Sequence, residues 1–456
     1  MKKPTRKGAR KPKTVDSLLH ARWVVPVDND NTVLEQHSVA IADGKIKAIL
    51  PTAAARQKYC AEDTRELGEH VLIPGLINAH AHSAMTLLRG IADDLPLMEW
   101  LEQHIWPAEA QCVNEQFVAD GTRLAIAEML KSGTTTFADM YFFPNIVARE
   151  ARSAGMRACV GLIAIDFPTV WAKDAAEYIS KGVALHDTYK HDALISTMFA
   201  PHAPYTVSND SLQKITSLAA ELEIPIQMHI HETAGEVAAA EAQHGERPLA
   251  RLQALGMLYP ELMAVHMTQL TDDEIRQLKH SKVHVIHCPA SNMKLASGIC
   301  PTTRLLEAGV NVALGTDSAA SNNDLSMLGE MRSAALLAKV STGEATALSA
   351  HTVLRMATLN GAKALGIDAL TGSLKRGKAA DITAIDLNRI NTQPVHCPVA
   401  QIVYAASREQ VSDVWVNGQA LLREHQLTGF NEQHLLQTAA QWQGRIAASQ
   451  TDKPTS

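Results

Sequence analysis

Short apolar runs alternate with longer amphipathic stretches from residue 71 to residue 317. Apolar, partly β-branched runs such as 283–286 and 310–314 are typical of buried strands, whereas stretches such as 210–222 and 234–255 have helical spacing. Eight such strands with interleaved helices predict an α/β fold, a (β/α)8 TIM-type barrel of about 240 residues. An open doubly wound sheet is the competing topology, because periodicity cannot show closure. The predicted strands end at His82, Met140, Ile163, His202, Glu232, Met267, Pro289 and Asp317.

Both ends of the chain instead alternate with the period of two that strands have. Strands flank an Asp-Gly turn at 43–44, and a similar pattern near the C-terminus includes 381–385, 401–404, 411–416 and an Asn-Gly turn at 417–418. Paired together, the two ends predict a small β-sandwich domain that the barrel interrupts. The predicted units are a disordered basic tail at 1–14, the β-sandwich at 15–70 plus 371–425, the barrel at 71–370, and a C-terminal helix and tail at 426–456.

Charge is concentrated at the start of the chain. Seven of the first 13 residues are Lys or Arg, although the formal net charge of the whole chain is −6. Because the body is acidic and shows no basic patch, we expect a solvated tail and not a nucleic-acid-binding arm. No apolar run reaches the roughly 18 residues that span a bilayer, and no apolar segment follows the basic start. With six scattered cysteines and no CxxC pair, these features predict a cytoplasmic protein that binds neither nucleic acid nor membrane.

Polar residues stand where the predicted barrel strands end. His80 and His82 close the first strand, and their side chains point the same way because successive strand residues alternate between faces. Reactive groups in a barrel sit at the carboxyl ends of the strands, so the polar residues at the later strand ends should meet this pair on one rim. The complete set is His80, His82, His202, His229, Glu232, His266 and Asp317.

This set predicts a hydrolytic metal site. Imidazole nitrogen and carboxylate oxygen suit zinc or iron(II), so we expect one divalent ion per chain, zinc first and iron as the alternative. Three histidines and an aspartate would hold the ion and leave a place for water, whose pKa falls to about 7 on binding. A further carboxylate would move protons. His231 shares the strand parity of His229, so spacing alone does not choose which of the two binds the ion.

Three motifs carry a resemblance to a known family: PGLINAHAH at 74–82, HIHE at 229–232 and GTDS at 315–318. With them the chain resembles the deaminase and chlorohydrolase branch of the amidohydrolase superfamily, whose plan includes a split β-domain around a barrel. The resemblance implies that His229 is the third metal ligand and Asp317 the fourth. It also implies that Glu232 shuttles a proton to the ring nitrogen and that His266 orients the water and helps to deprotonate it.

Within that branch, the chain resembles the 5′-methylthioadenosine/S-adenosylhomocysteine deaminases. The resemblance is carried by WPAE at 106–109, APHAPY at 200–205, CPASNMKL at 288–295 and AASNN at 319–323. It implies that Glu109 binds both ribose hydroxyls, because a carboxylate accepts two hydrogen bonds, and that His202 contacts the nucleoside. It further implies that the partner is a small purine nucleoside and that barrels pair into a homo-oligomer.

The reaction implied is hydrolytic deamination of the adenine ring of 5′-substituted adenosines. Glu232 protonates N1, Asp317 and His266 take the proton of the attacking water, and Asp317 passes one to the departing amine, which leaves an inosine derivative and ammonia. Some members of the family clamp a homocysteine carboxylate with arginines after the third strand, but residues 160–168 contain none. An uncharged methylthio group therefore suits this chain better.

Two other functions fit the same residues. A triazine chlorohydrolase or aminohydrolase, or a guanine or cytosine deaminase, would use the same metal ligands, and Glu109 discriminates because only a nucleoside has a ribose. A non-catalytic scaffold is the second alternative, against which the intact ligand set argues. Met140, Phe142 and Phe167 either line an apolar slot for the thioether or pack in the core.

Overall fold

Two eight-stranded sheets carry the fold. The structure, a computed structural model, describes residues 12–28 and 30–451. The strands in this part of the chain are β1 (Lys13–Val24), β2 (Leu34–Ala42), β3 (Lys45–Pro51), β4 (Tyr59–Pro74), β5 (Leu76–Ala81), β6 (Thr134–Asp139), β7 (Arg157–Ala164), β8 (Ile195–Pro201), β9 (Ile226–Ile230), β10 (Leu262–His266), β11 (His284–His287), β12 (Val312–Leu314), β13 (Ile382–Asp386), β14 (Val411–Val416), β15 (Gln419–Arg423) and β16 (Gln426–Leu427).

Helices lie mostly between the strands. Short 3-10 helices span Ser83–Leu88 and Arg408–Gln410, and a π-helix spans Leu101–Ile105. The α-helices are α1 (Thr52–Lys58), α2 (Leu97–Trp100), α3 (Trp106–Cys112), α4 (Glu115–Lys131), α5 (Pro144–Ala154), α6 (Ala175–Tyr189), α7 (Asn209–Leu222), α8 (Ala234–His244), α9 (Pro248–Ala254), α10 (Asp272–Ser281), α11 (Pro289–Lys294), α12 (Thr302–Ala308), α13 (Ala319–Asn322), α14 (Met327–Thr342), α15 (Ala350–Met356), α16 (Leu359–Ala364), α17 (Pro398–Tyr404) and α18 (Glu432–Thr451).

One sheet is a parallel barrel in which β5 to β12 are neighbours in chain order. A bridge between Ala81 and Asp317 joins its two edges, and the Asp317 N–H donates to the His80 carbonyl at 3.0 Å. Gly315 permits this approach, because a Cβ there would lie 2.8 Å from the His80 backbone nitrogen. The predicted (β/α)8 barrel is confirmed, and the open doubly wound alternative, in which the strand order reverses partway, is wrong.

The other sheet is built from both ends of the chain, as predicted, in the order β3-β2-β1-β4-β13-β14-β15-β16. β1 and β4 pair in parallel, and β4 joins the C-terminal strands through antiparallel pairing with β13. Both predicted hairpin turns have positive φ angles, which are +54° and +70° at Asp43 and Gly44 and +49° and +79° at Asn417 and Gly418. The two turns lie against each other, since a Cβ on Gly418 would fall 2.9 Å from Gly44 Cα.

The main apolar core lies between the barrel and the surrounding helices. Phe117 of α4, Phe137 of β6 and Phe199 of β8 are among its fully buried side chains. A separate core on the terminal sheet contains Leu19 and Trp415. Each such side chain contributes about 1.5–3 kcal/mol on burial, so the strands that carry the polar rim are held firmly from outside.

The segment 401–404, predicted as a strand, lies in α17, so that prediction is wrong. Pro398 stands in the first turn of this helix, where a missing N–H costs nothing. Val399, Ile402 and Val403 are then buried together, because residues three and four apart share a helix face.

The single helix predicted over 234–255 is two helices, α8 and α9. Gly245 ends the first helix in the left-handed region at φ +74°, and Pro248 begins the second. A glycine in this conformation is a frequent helix terminator, which the spacing of apolar residues does not reveal.

The predicted basic tail falls mainly outside the described residues, since 1–11 are not among them. Lys13 and Thr14, assigned to that tail, already belong to β1, where they pair with Tyr59 and Cys60 of β4. Between residues 12 and 451, Asn29 excepted, the chain forms no helix both long and apolar enough to cross a membrane.

Candidate active site

His80 and His82 present their Nε2 atoms to the same carboxylate. These nitrogens lie 3.4 Å and 3.1 Å from Oδ1 of Asp317. On the other side of each ring, Nδ1 of His80 is 2.7 Å from Oε1 of Gln227, and Nδ1 of His82 bonds to the Met140 carbonyl. The end of β5 and the residue that follows it thus place two oriented imidazoles at the rim, and the Ala81–Asp317 bridge places the carboxylate beside them.

β9 contributes the third imidazole. Nδ1 of His229 is 2.9 Å from the His202 carbonyl, and its Nε2 is 3.1 Å from Nε2 of His80. Ligand atoms of His80, His82, His229 and Asp317 all lie within 4.8 Å of one another. The structure therefore brings together the four residues proposed as metal ligands.

The hydrogen bonds around these four residues orient their rings so that a cation could bind between them. Gln227 donates its amide nitrogen to the Ala79 carbonyl at 2.8 Å, so its oxygen is left to accept from Nδ1 of His80. His82 and His229 likewise face backbone carbonyls through Nδ1. A neutral imidazole that donates through Nδ1 has a lone pair on Nε2. Three lone pairs and a carboxylate oxygen thus converge, which is a donor set for zinc or iron(II).

Asp317 is held on its far side by two serines. Oδ2 accepts from the hydroxyl of Ser291 at 2.6 Å and from that of Ser321 at 3.2 Å, which leaves Oδ1 to face the histidines. Its backbone has φ +63°, an uncommon conformation for a non-glycine residue.

His231 does not reach the group around Asp317. The strand ends at Ile230, and His231 has φ +54°, so the parity with His229 is lost. Its buried ring accepts the Leu249 N–H on Nε2 at 3.3 Å, while Nδ1 lies 3.9 Å from the Glu274 carboxylate. The backbone conformation therefore places His229, and not His231, beside the other three candidate ligands.

Glu232 and His266 face each other beside this group. Oε2 of Glu232 lies 3.6 Å from Nε2 of His266, and Ser297 donates to Oε1 of Glu232 at 3.4 Å. Burial and the charge of Asp317 raise the pKa of Glu232 to about 8. Burial lowers the pKa of His266 to about 4, so its ring is neutral at pH 7. The amide of Asn292 lies 3.0 Å from Nδ1 of His266 and fixes the ring.

A cavity of about 320 Å³ opens over this site. Glu109, in the first turn of α3, lines it and accepts a hydrogen bond from the Tyr141 hydroxyl at 2.7 Å. Burial raises the pKa of Glu109 to about 7, against the effect of Tyr141 and of His82. His202 also lines the cavity, with Nδ1 3.1 Å from Thr206 Oγ1, and burial lowers its pKa to about 3.

The cavity wall is largely apolar. Met140, Phe142 and Phe167 all line it, which supports the prediction that they form an apolar slot for a thioether. Among the described residues that line the cavity, none is a lysine or an arginine. A volume of this size accommodates a small molecule, and the wall carries no positive side chain to meet an anionic one.

The family model of the amidohydrolases matches residues 71–421, which include every strand of the barrel and the C-terminal strands β13 and β14. The chain belongs to the amidohydrolase family. The predicted membership is thereby confirmed.

Among amidohydrolases, curated relatives match nearly the full length of the chain. The protein named 5-methylthioadenosine/S-adenosylhomocysteine deaminase in Teredinibacter turnerae is 48% identical over 95% of this chain and 98% of its own. The solved structure of an adenosine deaminase from Xanthomonas campestris with bound zinc has a TM-score of 0.94 and 50% identity, and covers 96% of this chain and 100% of that one. Atrazine chlorohydrolase TrzN from Arthrobacter aurescens, complexed with zinc, has a TM-score of 0.88 over 93% and 99% of the two chains, but at 22% identity it shares the fold alone.

Three residues of this amidohydrolase site went unnoticed in the sequence. Gln227 stands two residues before His229 on β9, so strand alternation alone places both on one face. Ser291 lies in the quoted 288–295 motif but carries no charge to mark it. Tyr141 follows the end of β6, and its contact with Glu109 joins parts of the chain 32 residues apart, for which the sequence holds no signal.

Proposed function

We propose that this amidohydrolase deaminates the adenine ring of 5′-substituted adenosines, with 5′-methylthioadenosine preferred, and releases ammonia. One observation carries the proposal: three of the candidate ligands (His82, His229 and Asp317) line the same cavity as Glu232 and Glu109. Metal ligands beside a protonated carboxyl suit hydrolysis at a ring carbon, and a second carboxylate suits a vicinal diol.

His80, His82, His229 and Asp317 are the proposed ligands of one divalent ion, with zinc first and iron as the alternative. Bound there, the ion would supply a hydroxide nucleophile at neutral pH, because it lowers the pKa of water to about 7. The zinc bound in the Xanthomonas campestris deaminase supports the choice of zinc.

The side chains of this site divide the proton transfers between them. Glu232, whose burial raises its pKa and favours the protonated carboxyl, donates to N1 of the adenine and makes C6 more electrophilic. Asp317 takes the proton of the attacking water on a carboxylate oxygen and passes it to the departing amine. The hydroxyl proton of the C6 adduct then returns to Glu232, so the carboxyl is ready for a second cycle.

His266 orients the attacking water through Nε2 and shares its proton. For Nε2 to accept, Nδ1 must carry the hydrogen, and the Asn292 amide must turn its oxygen toward the ring. The buried amide oxygen of Asn292 has no hydrogen-bond partner in the described part of the chain, so it is available for this contact.

Recognition of the nucleoside falls to Glu109 and His202. Glu109 accepts hydrogen bonds from the ribose hydroxyls. His202 carries its hydrogen on Nδ1, facing Thr206, and offers the Nε2 lone pair to the substrate. Because the described cavity wall has no lysine or arginine, a homocysteine carboxylate would be buried without a counter-charge, which favours the uncharged methylthio group.

An ultraviolet deamination assay with adenosine, 5′-methylthioadenosine and S-adenosylhomocysteine tests the proposal. We expect turnover of the first two and the lowest kcat/KM for the third. Zinc-loaded protein that deaminates none of the three would overturn the function, and equal kcat/KM for S-adenosylhomocysteine would overturn the preference.

The free-base alternatives are separated by a single variant. Glu109→Ala should raise KM for nucleosides and leave any turnover of guanine, cytosine or a triazine nearly unchanged, because free bases carry no diol. A variant that turns over nucleosides as the parent does would remove Glu109 from the ribose site.

A further inference from the structure

Tyr141 is a buried tyrosine whose hydroxyl has one specific partner. Only 4% of the residue is exposed, and its hydroxyl donates to Oε1 of Glu109 at 2.7 Å. Both residues line the cavity above the candidate ligands. Tyr141 comes from the rim of the barrel after β6, whereas Glu109 comes from α3, so this bond ties a helix outside the barrel to the barrel itself.

We infer that Tyr141 is a positioning residue for ribose recognition: it fixes one oxygen of the Glu109 carboxylate so that the remaining acceptor sites face the two sugar hydroxyls. The inference rests on the proposed function and extends it to a residue that does not itself take part in the reaction. A carboxylate has about four acceptor sites, so one bond from Tyr141 leaves enough for a vicinal diol.

The surroundings of Glu109 make such a support necessary. In the part of the chain that the structure describes, its resolved electrostatic partners are Tyr141 and the ring of His82, and neither is a lysine or an arginine. Burial favours the protonated carboxyl, which would lose acceptor capacity for the diol. Burial and the nearby Glu109 also raise the pKa of Tyr141 well above its usual value, so its hydroxyl remains a donor at every working pH.

A π-helix precedes the helix that carries Glu109. α3 follows the π-helix Leu101–Ile105, a form that occurs mostly as short insertions and frequently at functional sites. A glutamate carries its carboxylate on a flexible stem, and binding is tighter when such a group is already held in its bound orientation. The Tyr141 bond provides this pre-organisation.

Tyr141→Phe, which keeps the ring and removes the hydroxyl, tests the inference with a pair of substrates. We expect KM for adenosine to rise by about tenfold, with kcat within about twofold of the parent, because a hydrogen bond to a charged group is lost. KM for 2′,3′-dideoxyadenosine should change by less than about twofold, because that substrate lacks the diol. Tyr259→Phe, which removes a buried hydroxyl with no hydrogen-bond partner among the described residues, should change neither value.

Glu109→Ala gives a second, independent reading. It should raise KM for adenosine at least as much as Tyr141→Phe does, and adding Tyr141→Phe to it should have no further effect. Equal KM increases for both substrates in Tyr141→Phe, or additive effects in the double variant, would overturn the inference and assign Tyr141 to packing. Failure of the parent protein to deaminate adenosine would instead count against the proposed function.

Discussion

Nε2 of His80 lies 3.1 Å from Nε2 of His229, and each ring turns its Nδ1 toward an acceptor oxygen. Two neutral imidazoles in this arrangement point lone pairs at each other inside a buried site, which is unfavourable without a positive charge between them. Oδ1 of Asp317 adds a negative charge to the same point. The barrel thus holds imidazole lone pairs and a carboxylate oxygen together, and a cation bound between them would remove their mutual repulsion.

Removal of the ion by a chelator should abolish deamination and destabilise the fold. Because the ion binds the folded state, free zinc at 100 times its Kd should add about 2.7 kcal/mol to the free energy of unfolding. Thermal unfolding and activity, measured before and after zinc is restored, check this. Asp317→Asn should lose most of the zinc response, and a parent protein that stays fully active in chelator would contradict the prediction.

Gln227 should control zinc affinity without touching the ion. Gln227→Ala removes the acceptor of the His80 Nδ1–H, so the ring loses its orientation and part of its basicity. We expect zinc affinity to fall by about 10- to 100-fold, the usual effect of losing such a supporting contact. Competition with a chromogenic chelator measures the affinity, with Gln213→Ala on the exposed face of α7 as the matched control. A change below twofold would show that Gln227 has no such role.

Glu232→Gln should bind zinc as the parent does and lose nearly all turnover. The amide keeps the shape of the side chain but cannot give a proton to N1, and general acid catalysis typically contributes about 10²–10⁴-fold. Zinc content by elemental analysis and kcat from the ultraviolet assay separate the two effects. A kcat within a few-fold of the parent would refute the proton-donor role.

The pKa of Glu232 predicts how kcat/KM falls at alkaline pH. Burial raises the pKa of Glu232 to about 8, and the bound ion would pull it lower because a positive charge favours the carboxylate. Since Glu232 must carry a proton to act, kcat/KM should fall as pH rises through a value no higher than about 8. The residual activity of Glu232→Gln should not show this fall. An activity in the parent that keeps rising above that pH would argue against a protonated Glu232.

The fold was largely predictable because its signals are local. Apolar runs marked all eight barrel strands, and the Asp43-Gly44 and Asn417-Gly418 turns formed as expected. One error arose where a short apolar run fits both the strand period and the helix period. Residues 401–404 have strand-like composition, but Pro398 and the packing of Val399 against the core make them helical.

The site was predictable as a set of residues but not as a network. Strand ends place His80, His82, His229 and Asp317 on one rim through a general property of barrels. The orientation of each ring depends on Gln227 and on two backbone carbonyls, and these are contacts between distant parts of the chain. The exclusion of His231 depends on one positive φ angle, which no spacing rule contains.

Crystals of the zinc-loaded protein, measured at the zinc absorption edge, test whether the four proposed ligands hold the ion. We expect one anomalous peak per chain, bounded by Nε2 of His80, His82 and His229 and by Oδ1 of Asp317. No peak among these four atoms in crystals of active protein, or a single peak bound by other residues, would contradict it.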